Sequence, residues 1–323
     1  MVDLAKLPKV APQEQTNKRS DAPPDRMTPA ERQAYWNSLK TNPRVTNPTP
    51  ATRSANDLSP SFVGGGVTPL LVRSVDGLTS AQSSEDWTFP DQAIATDLSY
   101  VMEGVNSAVA IYRASTGALQ YGPYSAQSFF APVYHAGDTF TTPQMYYDVM
   151  RDRWIVAFLE RDASATFSYI DIAVSVSNSP TQPNPGGQYY IYQQSTSYFE
   201  PTGSEPSYCL NLTMGVDYWG LYFTCTNFRG AFGSVFVGNT MYAVNKGPMM
   251  TGATTNSWYV NDAFQVNGGP AYRLSASTEE GVQDAEFFVS TDSAFGGPKR
   301  FRESSGVVGT LVHRWHGNEL RVR

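Results

Sequence analysis

The sequence predicts an all-β protein, best arranged as a β-propeller-like partial ring of about four blades behind a disordered N-terminal arm. Three observations predict it. From about residue 62, short runs rich in β-branched and aromatic residues follow one another. They show period-2 alternation or brief buried stretches, and no long segment repeats apolar residues at helical spacing. Gly, Pro, Asn, Ser and Asp separate the runs as turns. Units of tight turn plus aromatic strand recur at about 40–60 residues, the size of a four-stranded blade. The period is loose, so a β-sandwich or jelly roll is the alternative.

The elements follow in order along the 323 residues. Residues 1–60 carry nine of the 22 prolines and few apolar clusters, too little apolar surface to offset the entropy of ordering. They read as a flexible arm with one helical island over 29–40. There Thr28, Pro29 and Glu31 supply an N-cap, a first-turn proline and a capping-box acid. Gly64-Gly65-Gly66 opens the β region of 61–297. Its strand candidates are 100–105, 108–113, 144–147, 154–159, 169–175, 188–193, 218–226, 234–239, 241–245 and 286–290. Gly117 supplies the residue tolerant of positive φ in the turn from 108–113 into 118–121. A strand over 209–214 turns through 215–218 into the next. Residues 298–323 form a basic, atypical tail in which the blade texture ends.

Composition excludes several functions. Charged residues are 16%, against about 25% in an average soluble chain. Two cysteines exclude a disulfide-dense scaffold and a Cys-rich metal site, and three histidines leave little for a His-based metal centre. No apolar run of about 18 residues exists, so no spanning helix is expected. The net charge of -6 divides unevenly. Residues 1–60 hold nine Lys/Arg against six Asp/Glu, 61–297 eight against 21, and 298–323 six against two. An acidic middle repels a phosphate backbone, so nucleic acid is not an expected partner. Met1 is followed by Asp3, Lys6 and Lys9, with no apolar core of a secretory signal.

Several segments carry a resemblance. Residues 100–106, Ala110-Ile111-Tyr112 and 116–123 resemble the first blade of a family of bacterial secreted β-propeller proteins. Tyr147-Asp148 with Arg153-Trp154-Ile155-Val156 is similar to the next blade of that family. Residues 173–181, 188–192, 219–228 and 286–293 resemble later pieces in the same order, so the likeness covers about 90–293. The turn at 90–95 departs from the acidic turn usual in the family, and the pattern stops at Gly296-Gly297. The resemblance implies a propeller fold and an extracellular or cell-surface location.

Candidate chemistry is sparse. His135 lies on a Tyr-His-Ala-Gly-Asp turn with Asp138, but no Gly-x-Ser-x-Gly elbow supplies a nucleophile, so it reads as a surface-loop histidine. His313 and His316, three apart, lack a third ligand beyond Glu319, and no metal site is expected. Acidic turns offer oxygens that structural calcium uses, yet Asp148-Val149-Met150-Arg151-Asp152 fails the EF-hand pattern. Glu103, Asp148, Glu200, Glu205, Asp217 and Glu286 are candidate carboxylates for glycoside hydrolysis. Half-matches to sialidase turns at 74–77 and 290–293 lack the terminal Trp, and the β region holds only eight basic residues. Trp154 and Trp219 read as packing between blades. Tyr189, Tyr190, Tyr192 and Tyr198, flanked by Gln and Ser, are candidate binding residues. Cys209 and Cys225, 16 apart in neighbouring strands, suit a disulfide in an exported protein.

These observations lead to the expectation of a non-enzymatic binding or scaffold module, extracellular or surface-associated, contacting a protein or glycan surface and able to oligomerise. A shell-type assembly subunit with an N-terminal arm is one alternative. A carbohydrate-active propeller enzyme is the other; its mark is a close, partly buried carboxylate pair.

Overall fold

The computed structural model describes residues 2–3, 75–79, 82, 91–164, 166–180, 188–196, 207–229, 235–261, 265–266, 269–270, 272–279, 286–291, 307–311, 313–316 and 319–322. The helix expected at 29–40 and residues Tyr198, Glu200 and Glu205 lie outside these. The chain divides into two compact units, 1–20 with 77–323 and 21–76, and only 75 and 76 of the second are described. Every element below belongs to the first unit.

Strand β1 (Val2–Asp3) is a short edge piece. Strands β2 (Gln92–Thr96), β3 (Tyr100–Val105), β4 (Ala108–Arg113) and β5 (Leu119–Ser125) form an antiparallel meander in sequence order. Gly117 turns β4 into β5 with a φ of 69°. Helix α1 (Ala126–Phe129) follows, capped by the Ser125 side chain. The second meander comprises β6 (Thr139–Asp148), β7 (Arg153–Arg161), β8 (Ser168–Ser175) and β9 (Gln188–Ser195), with β1 on its outer edge. The third comprises β10 (Tyr208–Val216), β11 (Gly220–Arg229), β12 (Val235–Asn245) and β13 (Ser257–Asn261), with helix α2 (Lys246–Met249) between its last two strands. A small pair, β14 (Gln265–Val266) and β15 (Gly269–Pro270), precedes the sheet of β16 (Tyr272–Ala276), β17 (Glu286–Thr291) and β18 (Val307–Leu311). The described chain ends in the hairpin of β19 (His313–His316) and β20 (Glu319–Val322).

The sheets stack face to face, and the burial of the second shows why β7 reads as a continuous apolar run. Its alternate side chains point to opposite faces. Trp154, Val156 and Phe158 pack with Met102, Val109 and Ile111 of the first sheet. Ile155, Ala157 and Leu159 pack with Leu212, Leu221 and Phe223 of the third. Both faces are therefore dry, as in an inner strand covered on each side. The third sheet turns Tyr222, Met241 and Ala243 toward Leu274 and Phe288 of the fourth. Consecutive four-stranded meanders, each packed on the next, are the arrangement of a partial β-propeller. Several strands run longer than expected, among them β6, β7 and β10, and two assignments change. The candidates at 234–239 and 241–245 are one strand, β12. The candidate at 218–226 starts only at Gly220, because Asp217 folds the preceding residues into a turn.

Candidate functional site

The first hairpin of each of the three blades turns at an aspartate whose side chain accepts backbone N–H groups two and three residues on. This local motif offers the chain an alternative to the ladder. Asp97 takes Ser99 and Tyr100 (2.6 and 2.5 Å), Asp148 takes Met150 and Arg151 (both 3.1 Å), and Asp217 takes Trp219 and Gly220 (2.7 and 2.6 Å). The motif brings Asp148 and Asp217 to the same end of neighbouring sheets. There Lys246, wholly buried at the start of α2, donates to Asp148 Oδ2 and to the backbone carbonyl of Asp217. Burial lowers the Lys246 pKa, and Asp148 opposes that shift.

Beside Asp217 the fourth sheet adds two more acids. Ser277 Oγ lies 3.1 Å from Glu286 Oε1 and 3.2 Å from Glu279 Oε1. A hydroxyl within hydrogen-bond reach of both carboxyls keeps them within the roughly 10 Å over which acid pairs cleave glycosidic bonds. Glu286 is fully buried, while Glu279 is half-exposed. Burial first, then the charge of Asp217, pushes the Glu286 pKa up to about 9. Asp217 is also raised by burial, against the opposing hydrogen bonds of Gly220, Trp219 and Tyr222 and the charge of Lys246. Gly215 is required here: a Cβ on it would strike the Ser277 carbonyl and come within 2.7 Å of Ala276 Cβ. At the same turn Tyr218 and Trp219 meet edge to face at 4.8 Å. The Arg151 guanidinium lies 4.0 Å over the Tyr218 ring, and Trp219 is 40% exposed.

A second cluster sits at the other end of the second sheet. The connector after α1 carries His135 and Asp138 back over β7. The His135 backbone N–H donates to Glu160 Oε1 at 2.7 Å, its Nδ1 lies 3.4 Å from Glu160, and its ring stacks on Tyr169 at 4.6 Å. Ligand atoms of His135, Asp138 and Glu160 lie within 4.8 Å of one another. Behind them Gln193 Nε2 bridges Glu160 (3.0 Å) and Asp171 (2.8 Å). Both acids are fully buried, and burial followed by the Glu160 charge pushes Asp171 up to about 8.

Of the carboxylates proposed from sequence, Asp148, Asp217 and Glu286 are brought to one end of the sheets. Glu103 is elsewhere, accepting the Leu78 N–H at 2.9 Å. Both Asp148 oxygens accept hydrogen bonds, Oδ1 from Met150 and Arg151 and Oδ2 from Lys246. Trp154 is wholly buried as expected, whereas Trp219 is not: the Asp217 turn lifts it out of the strand to the surface. Tyr189 is also wholly buried, edge-on to Phe129, with no face open for stacking. Tyr190 and Tyr192 are half-buried, and the Tyr192 hydroxyl donates to the carbonyls of Met249 and Ala253. Cys209 and Cys225 form a disulfide across β10 and β11, with Cα atoms 5.2 Å apart. His313 and His316 fall in β19, and their side chains lie outside the description. Sequence reasoning missed Glu160, Asp171, Gln193, Lys246 and Glu279. Glu160 and Asp171 lie on neighbouring strands, where the returning connector and Gln193 of β9 meet them.

No family model matches the chain, and no curated protein matches it. Solved structures do. A GH43 endo-arabinanase from Bacillus licheniformis matches at a TM-score of 0.37 and 11% identity, over 68% of this chain and 70% of that one. A Bacillus subtilis arabinanase matches at 0.37 and 12%, over 68% and 69%. An exo-β-1,3-galactanase from Clostridium thermocellum matches at 0.29 and 11%, over 72% and 60%. The three bear enzymes' names, and this corrects the expectations of a non-enzymatic binding or scaffold module and of no enzyme activity. Values this low lend the chain no substrate, and any activity has to come from its own residues. Among the described residues no helix is long and apolar enough to cross a membrane.

Proposed function

We propose that the chain is a glycoside-cleaving enzyme whose acid pair is Glu279 and Glu286. One juxtaposition supports this: a half-exposed carboxyl and a buried one share the Ser277 hydroxyl, next to Asp217, whose turn carries the exposed Trp219. Exposed aromatic faces of this kind stack on sugar rings. Glu286, with its pKa near 9, holds a proton at neutral pH and stands behind Glu279 as a reserve. Glu279 meets the glycosidic oxygen and protonates it as the bond from that oxygen to the sugar carbon breaks. The Asp217 carboxyl, whose hydrogen bonds from Trp219, Gly220 and Tyr222 favour its charged form, stabilises the positive charge that develops on the ring. A water adds to that carbon and gives its proton to Glu279, which restores the acid. The outcome is hydrolysis, with one new reducing end.

The same reading places the protein outside the cell. The Cys209–Cys225 disulfide suits an oxidising compartment, and the blade segments over 90–293 resemble secreted propeller proteins. The test is release of reducing ends by the purified chain from a panel of polysaccharides, arabinan and galactan included. Release is expected, and Glu279→Gln should lower it by about 10²–10⁴, the usual contribution of a positioned proton donor. Failure to cleave any member of the panel, or full activity in Glu279→Gln, overturns the proposal.

A further inference from the structure

We infer that His135, Asp138 and Glu160 form a binding site for a divalent transition cation, with zinc the ion that fits best. The site lies at the start of β6, roughly 30 Å along that strand from the Asp148 turn, and does not depend on the glycosidase reading. One imidazole and two carboxylates are a ligand set that zinc accepts, with three protein ligands leaving a position open for water.

Two independent observations point to a cation. The first is the spacing of His135 Nδ1 and Glu160, 3.4 Å, which is long for a hydrogen bond between nitrogen and oxygen. Two ligands each ~2.0–2.1 Å from a tetrahedral zinc stand ~3.3 Å apart, so this gap is one a zinc ion fills. Asp138, half-exposed on the connector, is free to turn its carboxyl inward from within 4.8 Å. The second is the buried carboxyl behind the triad. Asp171 is fully buried; its Oδ1 accepts from Gln193, its Oδ2 receives no N–H or hydroxyl donor, and the carboxyl lies in hydrogen-bond contact with that of Glu160. Gln193 offers its one amide nitrogen to both Glu160 and Asp171, and donates also to the Val133 carbonyl on the connector. The connector is thereby tied over two adjacent buried acids. The charged and titratable side chains facing them are Asp138, Asp162, His135 and Tyr169, of which only His135 is able to carry positive charge. His135 and Asp138 approach the buried Glu160 from the solvent side, so an ion held by the three is reached past the exposed His135 ring.

The test uses the full chain, stripped with a chelator, and titrates zinc chloride by calorimetry alongside thermal unfolding. One zinc per chain is expected, with a rise in the unfolding midpoint, since a ligand of the native state stabilises it. Asp138→Asn and His135→Gln are both surface changes that leave the core intact; each should weaken zinc binding at least tenfold and remove the rise in midpoint. Zinc binding with equal affinity in both variants overturns the site, as does no binding to the unaltered chain. Binding of calcium in place of zinc overturns the assignment of a transition cation.

Discussion

At the scale of single residues, Glu286 makes the most direct claim on pH. Its folded pKa, near 9, stands above the ordinary carboxyl value because burial disfavours the charged form. The folded state therefore binds a proton that the unfolded chain has released, and the linkage takes its sign from that. The contribution is complete below the unfolded carboxyl pKa and is lost as pH rises toward 9. Denaturant midpoints measured from pH 5 to 9 should fall along this limb, and Glu286→Gln should flatten it. An unchanged slope in the variant would show that the proton is held elsewhere. Gly215 makes a geometric claim. With Ala276 Cβ already 2.7 Å from where a Cβ would stand, Gly215→Ala must push β16 and Ser277 away from β10. Overpacking of this kind costs about 1–3 kcal/mol. The cost should appear in denaturation together with lower hydrolysis, because Ser277 moves with the strand. The sequence showed Gly215 only as a turn residue. Its close approach to another sheet depends on residues some sixty positions away and leaves no local mark.

At the scale of elements, the strands with strong local patterns were legible and the polar clusters were not. β3 and β4 lie where alternation and turn residues place them, because inward and outward positions of a short strand differ in composition. β11 was set two residues early. Tyr218 and Trp219 look like strand residues, but the Asp217 carboxylate draws the N–H groups of Trp219 and Gly220 into a turn, and that competition is visible only once the repeated Asp turn is recognised. Glu160 reads as the polar end of an apolar run. Its burial comes from the connector of 130–138, whose path no periodicity encodes. The repeated turn carries its own expectation: Asp97→Ala removes an acceptor from two N–H groups at a partly exposed hairpin. It should cost about 1–2 kcal/mol in equilibrium unfolding. Asp97→Asn, which keeps one oxygen acceptor, should recover most of the loss; equal cost in both variants would assign the effect to charge instead.

At the scale of the whole molecule, the stack of sheets is held by apolar faces and, among the described residues, by a buried ion pair that crosses between two of them. Asp148 belongs to the second sheet and Lys246 to the third, both with fully buried side chains. Attraction between such charges offsets the cost of taking them out of water, so the pair is no strong source of net stability while both members are present. Removing one member is different, since it strands the other charge where water cannot reach it. Lys246→Met should therefore cost about 3–5 kcal/mol in chemical denaturation. Asp148→Asn on its own should also destabilise, because it leaves the ammonium facing a neutral amide, although Met150 and Arg151 keep their acceptor. Combining the two changes removes both charges, and the double variant should be more stable than the sum of the single losses predicts. The coupling, read as that difference, should exceed about 1 kcal/mol for residues in direct contact. Coupling near zero would mean that the two sheets are joined by their apolar faces alone, with Ile155, Leu159, Leu221 and Phe223 at the centre of the joint. A large coupling would make the pair a register device: it fixes which turn of the second sheet meets which helix of the third, and so fixes where Asp217 stands relative to Glu279 and Glu286.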